Sequence, residues 1–209
     1  MHLRRLIAFT FFFFSAFVLS ANGNDTSYIY VHILHGSKPQ RNCPDDSDAY
    51  YMLGGKLGGH VVIQLDSFDY GFSYTTKHVH PFARKKKSCC AGVYECDSAS
   101  CQLEGWSRDK VTTIKIPVSP AVKKQLRDSM VKWHQHPPFD YAFFGMRCAS
   151  TAYYLLSIAG VFPKASKAKS MRKAFWPGAF RKKIMHVARK KHYAVTVHPG
   201  SRFRRWEGG

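Results

Sequence analysis

The stretch FFGMRCASTAYYLLSIAGVFP, residues 143–163, decides the fold of this chain. Its small and apolar residues repeat at the spacing of one helix face. They are Ala149, Ala152, Tyr153, Leu156 and Ala159. Gly160 is placed to end that helix. The pattern predicts a central helix with Cys148 in its first turn.

The position of Cys148 has chemical consequences. Unpaired N–H groups and the positive end of the helix dipole favour a thiolate at a helix start. Arg147 is adjacent and adds positive charge. The same N–H groups can hold an oxyanion during acyl transfer. We therefore treat Cys148 as the candidate nucleophile of a thiol hydrolase, which needs a basic partner.

The elements around this helix are mainly strands. Runs rich in β-branched and aromatic residues predict strands at 27–36, 60–66, 70–79 and 110–119. Ser119 caps a predicted helix that begins at Pro120. A basic amphipathic helix at 178–191 and a final strand at 192–200 follow. We expect an α+β fold, an antiparallel sheet packed on a central helix.

The N-terminus resembles an export signal in composition. Arg4 and Arg5 precede an apolar run at 6–19 and small residues follow it. We expect a signal peptide over 1–23 and a single domain over 24–209, located outside the cytoplasm as a secreted or periplasmic protein. An uncleaved membrane anchor is the alternative. After cleavage no transmembrane span is expected, because the run is shorter than the ~20 residues a span needs.

The chain is strongly basic, with a formal charge of +19. The region 164–209 holds 14 Lys or Arg and one acid, Glu207. Such a surface attracts an anionic partner, here an anionic envelope surface, and the attraction weakens with salt. A solvated face without a dedicated partner is the alternative. The sequence contains no nucleotide loop, metal motif or cofactor signature, so no cofactor and no specific nucleic acid are expected.

The other cysteines are Cys43, Cys89, Cys90, Cys96 and Cys101. Four of them lie in a basic insertion at about 84–105, and an oxidising compartment favours disulfides there. Their spacing is not that of paired C-x2-C zinc ligands. Cys148 itself can pair with Cys43, and if it is free one of the other five cysteines stays unpaired.

The candidate base is His60, which follows GGKLGG at the start of a strand. Glycines there let a ligand approach the backbone. By strand alternation His60 shares a face with Val62 and Gln64 rather than with the apolar residues. Its position at the strand end relaxes this conflict. His78 and His80, in KHVHPF, are the candidate orienting groups or rival bases.

The run GGHVVIQLDSFDYGF, followed by FDYAFFGMRCASTAYYLLSIAG, resembles the circularly permuted papain-like hydrolases. These are relatives of NlpC-type cell-wall peptidases and of lecithin:retinol acyltransferase. The run is also similar to a group of exported bacterial proteins of uncharacterised activity. The resemblance covers about 27–162 and implies His60 as base and Cys148 as nucleophile. The family's third polar residue normally lies on the strand after the His, and DYGFSY offers no His or Asn at that place.

Two function classes follow. The resemblance implies an exported cysteine hydrolase or acyltransferase acting on a peptide, another amide or a lipid ester, with Cys148, His60 and His80 as site residues. The alternative is a non-catalytic binding module for an anionic envelope polymer, with Cys148 in a disulfide. The aromatic residues of FDYAFFG are core or pocket wall, or they line a substrate groove.

Overall fold

A computed structural model describes residues 26–39, 58–73, 80–83, 92–96 and 106–207, the range 92–96 by its backbone only. The predicted signal peptide, most of the cysteine-rich insertion and His78 lie outside these residues. The predicted domain boundaries therefore remain predictions.

Eight strands and four helices are described. The strands are β1 (Ser27–His35), β2 (Ser37–Pro39), β3 (Gly59–Leu65), β4 (Phe68–Ser73), β5 (Gly92–Cys96), β6 (Lys110–Val118), β7 (Ala194–Pro199) and β8 (Arg204–Trp206). The helices are α1 (Pro120–Gln135), α2 (Cys148–Ile158), α3 (Lys167–Lys173) and α4 (Pro177–Lys191).

The main sheet is antiparallel throughout its described pairs, in the order β5-β4-β3-β1-β6-β7. Helix α2 packs on β3 and β4, and α4 packs on β1, β3 and α2. This confirms the predicted α+β class, with an antiparallel sheet packed on a central helix.

The two faces of the sheet differ in chemistry. Val61, Ile63 and Leu65 of β3 are buried in the main hydrophobic core with the helices. The opposite face carries the small cluster of Leu34 and Val111, covered by Trp106 and Trp206. The alternation predicted for β3 is thus the alternation observed.

Helix α2 begins and ends where its sequence indicates. Ser150 Oγ accepts from the Arg147 N–H at 2.7 Å and so pairs a backbone donor at the helix start. The predicted stripe is buried at Ala149, Ala152, Tyr153 and Leu156. Gly160 follows the last turn at a φ of +75°, a conformation that favours glycine.

Four short elements were not expected from the sequence, namely β2, β5, α3 and β8. Part of the cysteine-rich insertion joins the sheet as β5, at the edge next to β4. Helix α3 and strand β8 were not predicted, and β7 is therefore not the last strand. Strand β8 pairs with β2 near the first strand, so the basic C-terminal region is built into the fold.

Candidate thiol site

Cys148 is the first residue of α2 and is a free, buried thiol with 4% of its surface exposed. Cys43 and three other cysteines lie outside the described residues, and the side chain of Cys96 is not described. The predicted disulfides among them stay predictions. The position itself agrees with the helix start expected from the sequence.

Several donors surround the sulfur of Cys148. The backbone N–H groups of Val61 and Ala149 and the hydroxyl of Tyr141 donate to it, and the positive charge of Arg147 is close. Each of these lowers the pKa of the thiol. Burial is the larger effect, and the net pKa of Cys148 is raised above its usual value. Charge therefore develops on this sulfur only when a base removes the proton.

A narrow crevice lies beside the thiol. Its wall is mostly apolar and comes from β3, β4, α1 and α2. The hydroxyl of Thr151 lies in this wall, and its oxygen has no hydrogen-bond partner among the residues that the structure describes.

The structure places His60 on the other side of β3 from this crevice. Its register partner is Leu34, and its ring lies edge-on to Trp106 with centroids 6.3 Å apart. Burial lowers the pKa of His60 to about 4. The main chain of His60 nevertheless adjoins Val61, whose N–H reaches the sulfur. The groups that act on the pKa of the Cys148 thiol are Val61, Ala149, Arg147 and Tyr141, not His60.

His80 contacts the segment that leads into the thiol site. Its backbone forms a parallel bridge with Ala142, and its carbonyl accepts from the Phe143 N–H at 2.8 Å. Ala142 follows Tyr141, which donates to the sulfur of Cys148. The structure thus ties His80 to the segment that approaches α2.

The sequence did not single out Tyr141 or Val61 as parts of the site. Tyr141 stands in FDYAFFG, where an aromatic residue reads equally well as core. Val61 contributes a backbone group, which carries no side-chain signature. The contacts of Tyr141 and Val61 with Cys148 depend on packing between segments distant in sequence. The one indication in the sequence is that Val61 directly follows His60.

A second polar group of residues lies on the opposite face of the sheet. His32 is buried and its ring nitrogens hydrogen-bond Thr113 Oγ1 at 2.9 Å and Gln64 Oε1 at 2.8 Å. Asp69 is the register partner of Gln64. Its carboxylate is fully buried, and neither oxygen has a hydrogen-bond partner within the part of the chain that the structure describes. Burial raises the pKa of Asp69 to about 6.

Comparison with known proteins gives a remote structural similarity. No protein-family model matches the chain, and no curated protein is similar enough to match. The chain is similar to the crystal structure of TseH, a type VI secretion system effector, at 11% identity. The similarity covers 84% of this chain and all of the TseH chain, with a TM-score of 0.45. A likeness this remote carries no argument about activity.

Within the part of the chain that the structure describes, no helix is long and apolar enough to cross a membrane. The same residues contain no cluster of three or more His, Cys, Asp or Glu arranged to hold a metal ion.

Proposed function

We propose that this chain is an exported cysteine hydrolase or acyltransferase with Cys148 as its nucleophile. The observation that supports the proposal most is the free thiol at the first residue of α2, with two backbone N–H groups and the Tyr141 hydroxyl donating to it. Donors directed at a sulfur stabilise the thiolate that attacks a carbonyl.

The reaction proceeds by acyl transfer. A base takes the thiol proton, and the sulfur of Cys148 forms a bond to the carbonyl carbon of an amide or ester. The amine or alcohol leaves with the proton, so that a thioester remains on Cys148. Water or a second acceptor then releases the acyl group. Backbone N–H groups at the start of α2 stabilise the oxyanion.

We propose His60 as the base, with His80 as the orienting group or rival. The ring of His60 packs on Trp106, across β3 from the crevice, so this role requires the first residues of β3 to turn over and not only a rotation of the ring. His80 needs no such change of face, which makes it the direct rival.

The proposed location outside the cytoplasm rests on the basic and apolar N-terminus. The proposed substrate is a peptide, another amide or a lipid ester, and the crevice beside Cys148 receives its acyl part. The basic C-terminal region holds the protein on an anionic envelope surface.

The test is a pre-steady-state burst of p-nitrophenolate from p-nitrophenyl acetate. We expect a burst of one equivalent for the wild type and none for Cys148→Ala. His60→Ala should slow acylation by about 100-fold or more, the usual contribution of a general base. If His80→Ala alone gives this loss, His80 is the base. A full burst from Cys148→Ala would refute the proposed nucleophile.

One observation favours the second candidate, a binding module for an anionic polymer. Between Tyr141 and Trp206 the sequence contains no acidic residue. If this is the function, binding of a soluble polyanion should be lost in Lys190→Ala/Lys191→Ala and unaffected in Cys148→Ala. Binding unchanged at high salt would contradict it, because exposed charges are screened there.

A further inference from the structure

A cluster of phenylalanines is exposed next to the start of α2. Phe82, Phe144 and Phe143 expose 69%, 58% and 49% of their surface. Phe82 stacks on Phe144 with centroids 5.5 Å apart, and Phe143 meets Phe144 edge-on at 4.8 Å. Phe175 lies within 6.4 Å of both. We name these four residues the aromatic patch. Contiguous exposed apolar surface of this kind usually marks an interaction site.

The aromatic patch is held in place by backbone contacts. The N–H of Phe143 donates to the His80 carbonyl and that of Phe144 to the Pro81 carbonyl, each at 2.8 Å. The guanidinium of Arg147 lies 4.1 Å from the Phe175 ring and donates to the Phe175 carbonyl. Two chain segments and the linker between α3 and α4 therefore present one surface without further ordering, which lowers the cost of binding.

The exposed charged residues next to the aromatic patch in sequence are basic. Arg172 and Lys173 are exposed and precede Phe175 by three and two residues. Asp140, three residues before Phe143, is buried. No acidic residue occurs anywhere between Tyr141 and Trp206, nor in 80–83. Positive charge beside exposed apolar rings is complementary to a surface with an anionic outer layer and an apolar layer directly below it.

We propose that the aromatic patch docks the protein on an anionic lipid bilayer, with the phenylalanines in the interface and the neighbouring basic side chains on the headgroups. The rings carry no hydrogen-bonding group, and an acyl-chain region removes them from water. The docking surface adjoins Cys148 through Arg147, but it does not depend on the chemistry of the thiol.

The test is cosedimentation of the full chain with vesicles of phosphatidylcholine and about 30% phosphatidylglycerol. Binding is measured at about 0.1 M and about 0.5 M salt, because high salt screens the electrostatic contribution to vesicle binding and leaves the apolar contribution. The variant is Phe143→Ala/Phe144→Ala. Phe203→Ala is the matched control, because Phe203 is also 49% exposed and lies outside the patch. Phe143→Trp/Phe144→Trp is the conservative variant.

We expect the double alanine variant to lose vesicle affinity by about tenfold or more at both salt concentrations, since two rings no longer leave water. Phe203→Ala should stay within about twofold, and the double tryptophan variant should bind like the wild type. The thermal midpoint is measured alongside; if the double variant unfolds, Phe144→Ala alone replaces it.

Three results would overturn the proposal. The first is equal vesicle binding by the wild type and by the folded alanine variant. The second is the absence of vesicle binding by the wild type. The third is loss of single-stranded oligonucleotide binding in the alanine variant with vesicle binding retained, since aromatic rings also stack on bases.

Discussion

At the scale of single residues, Cys148 is subject to two opposing effects. Its position at the start of a helix, predicted from the sequence, supplies donors that lower the pKa of the thiol. Burial by β3, β4 and α1 raises that pKa by more. Helical periodicity predicts the first effect but not the second, because burial depends on segments distant in sequence.

Removal of the Tyr141 hydroxyl should make the thiol less reactive. This donor lowers the pKa of Cys148, so Tyr141→Phe raises it further and reduces the thiolate fraction. We expect alkylation of Cys148 by iodoacetamide at pH 8 to slow by about 3- to 10-fold, measured by peptide mass spectrometry. Tyr154→Phe, which lies on α2 and stacks on Trp133 of the crevice wall, is the control. Equal rates for both variants would exclude Tyr141 as a donor.

Asp69 should make the free energy of unfolding depend on pH. Its pKa rises from 3.8 to about 6 on folding, so between these values the folded state binds more protons than the unfolded state. Stability therefore falls as pH rises through this window. We expect Asp69→Asn to gain about 2 kcal/mol over the wild type between pH 4 and pH 8, measured by urea unfolding.

The control for this prediction is Asp128→Asn. Asp128 is 61% exposed on α1 and pairs with Lys124 at 2.7 Å. Its substitution should change stability by less than about 1 kcal/mol, with little dependence on pH. If the difference in free energy of unfolding between Asp69→Asn and the wild type does not change between pH 4 and pH 8, the Asp69 carboxyl is not kept from water.

At the scale of elements, the start of α2 determines where the thiol lies. Ser150 accepts from the Arg147 N–H and donates to the Arg147 carbonyl at 3.1 Å. Ser150→Ala leaves that part-buried N–H without this partner and should destabilise the fold by about 1 to 2 kcal/mol in urea unfolding. Ser129→Ala, whose hydroxyl donates to the Gln125 carbonyl on α1, should cost less than about 0.5 kcal/mol. Equal costs would contradict the capping role.

The longer elements are predictable from sequence because their signals are local. Ser119 caps α1 through the Val122 N–H at 3.3 Å, and Gly160 follows the end of α2, both as expected. The short strands β5 and β8 form by pairing with β4 and β2, partners distant in the chain. The side of β3 that His60 occupies followed from alternation, whereas its contact with Trp106 did not.

At the scale of the whole molecule, the C-terminal region completes the fold. Strand β7 lies at one edge of the main sheet. The Glu207 N–H donates to the Gly36 carbonyl at 2.8 Å, and its own carbonyl meets Arg181 Nη2 at 3.1 Å and the His35 ring at 3.0 Å. The basic region is thus both a charged surface and a structural part of the domain, which composition alone does not distinguish.

Buried histidines should make the whole molecule sensitive to acid. The pKa of His35 and that of His60 are lowered to about 4, and that of His32 is lowered as well, in each case first by burial. Between about 4 and 6.5 the unfolded state binds more protons, so stability falls as pH drops through this window. Asp69 offsets part of the loss. We expect the free energy of unfolding to be about 2 kcal/mol lower at pH 5 than at pH 7.5.

The experiment that checks this expectation is urea unfolding at the two pH values with the wild type and with Asp69→Asn. The variant lacks the offset and should lose more stability on acidification than the wild type. Stability that stays constant or rises toward pH 5 in both proteins would show that the three histidines are not kept neutral by burial.

The most direct test of the central claim is a mass spectrum of the acid-quenched protein after brief exposure to p-nitrophenyl acetate. The proposed chemistry predicts one acetyl group, mapped as a thioester to the peptide that contains Cys148. Cys148 found in a disulfide, or unmodified while the ester is consumed, would contradict it.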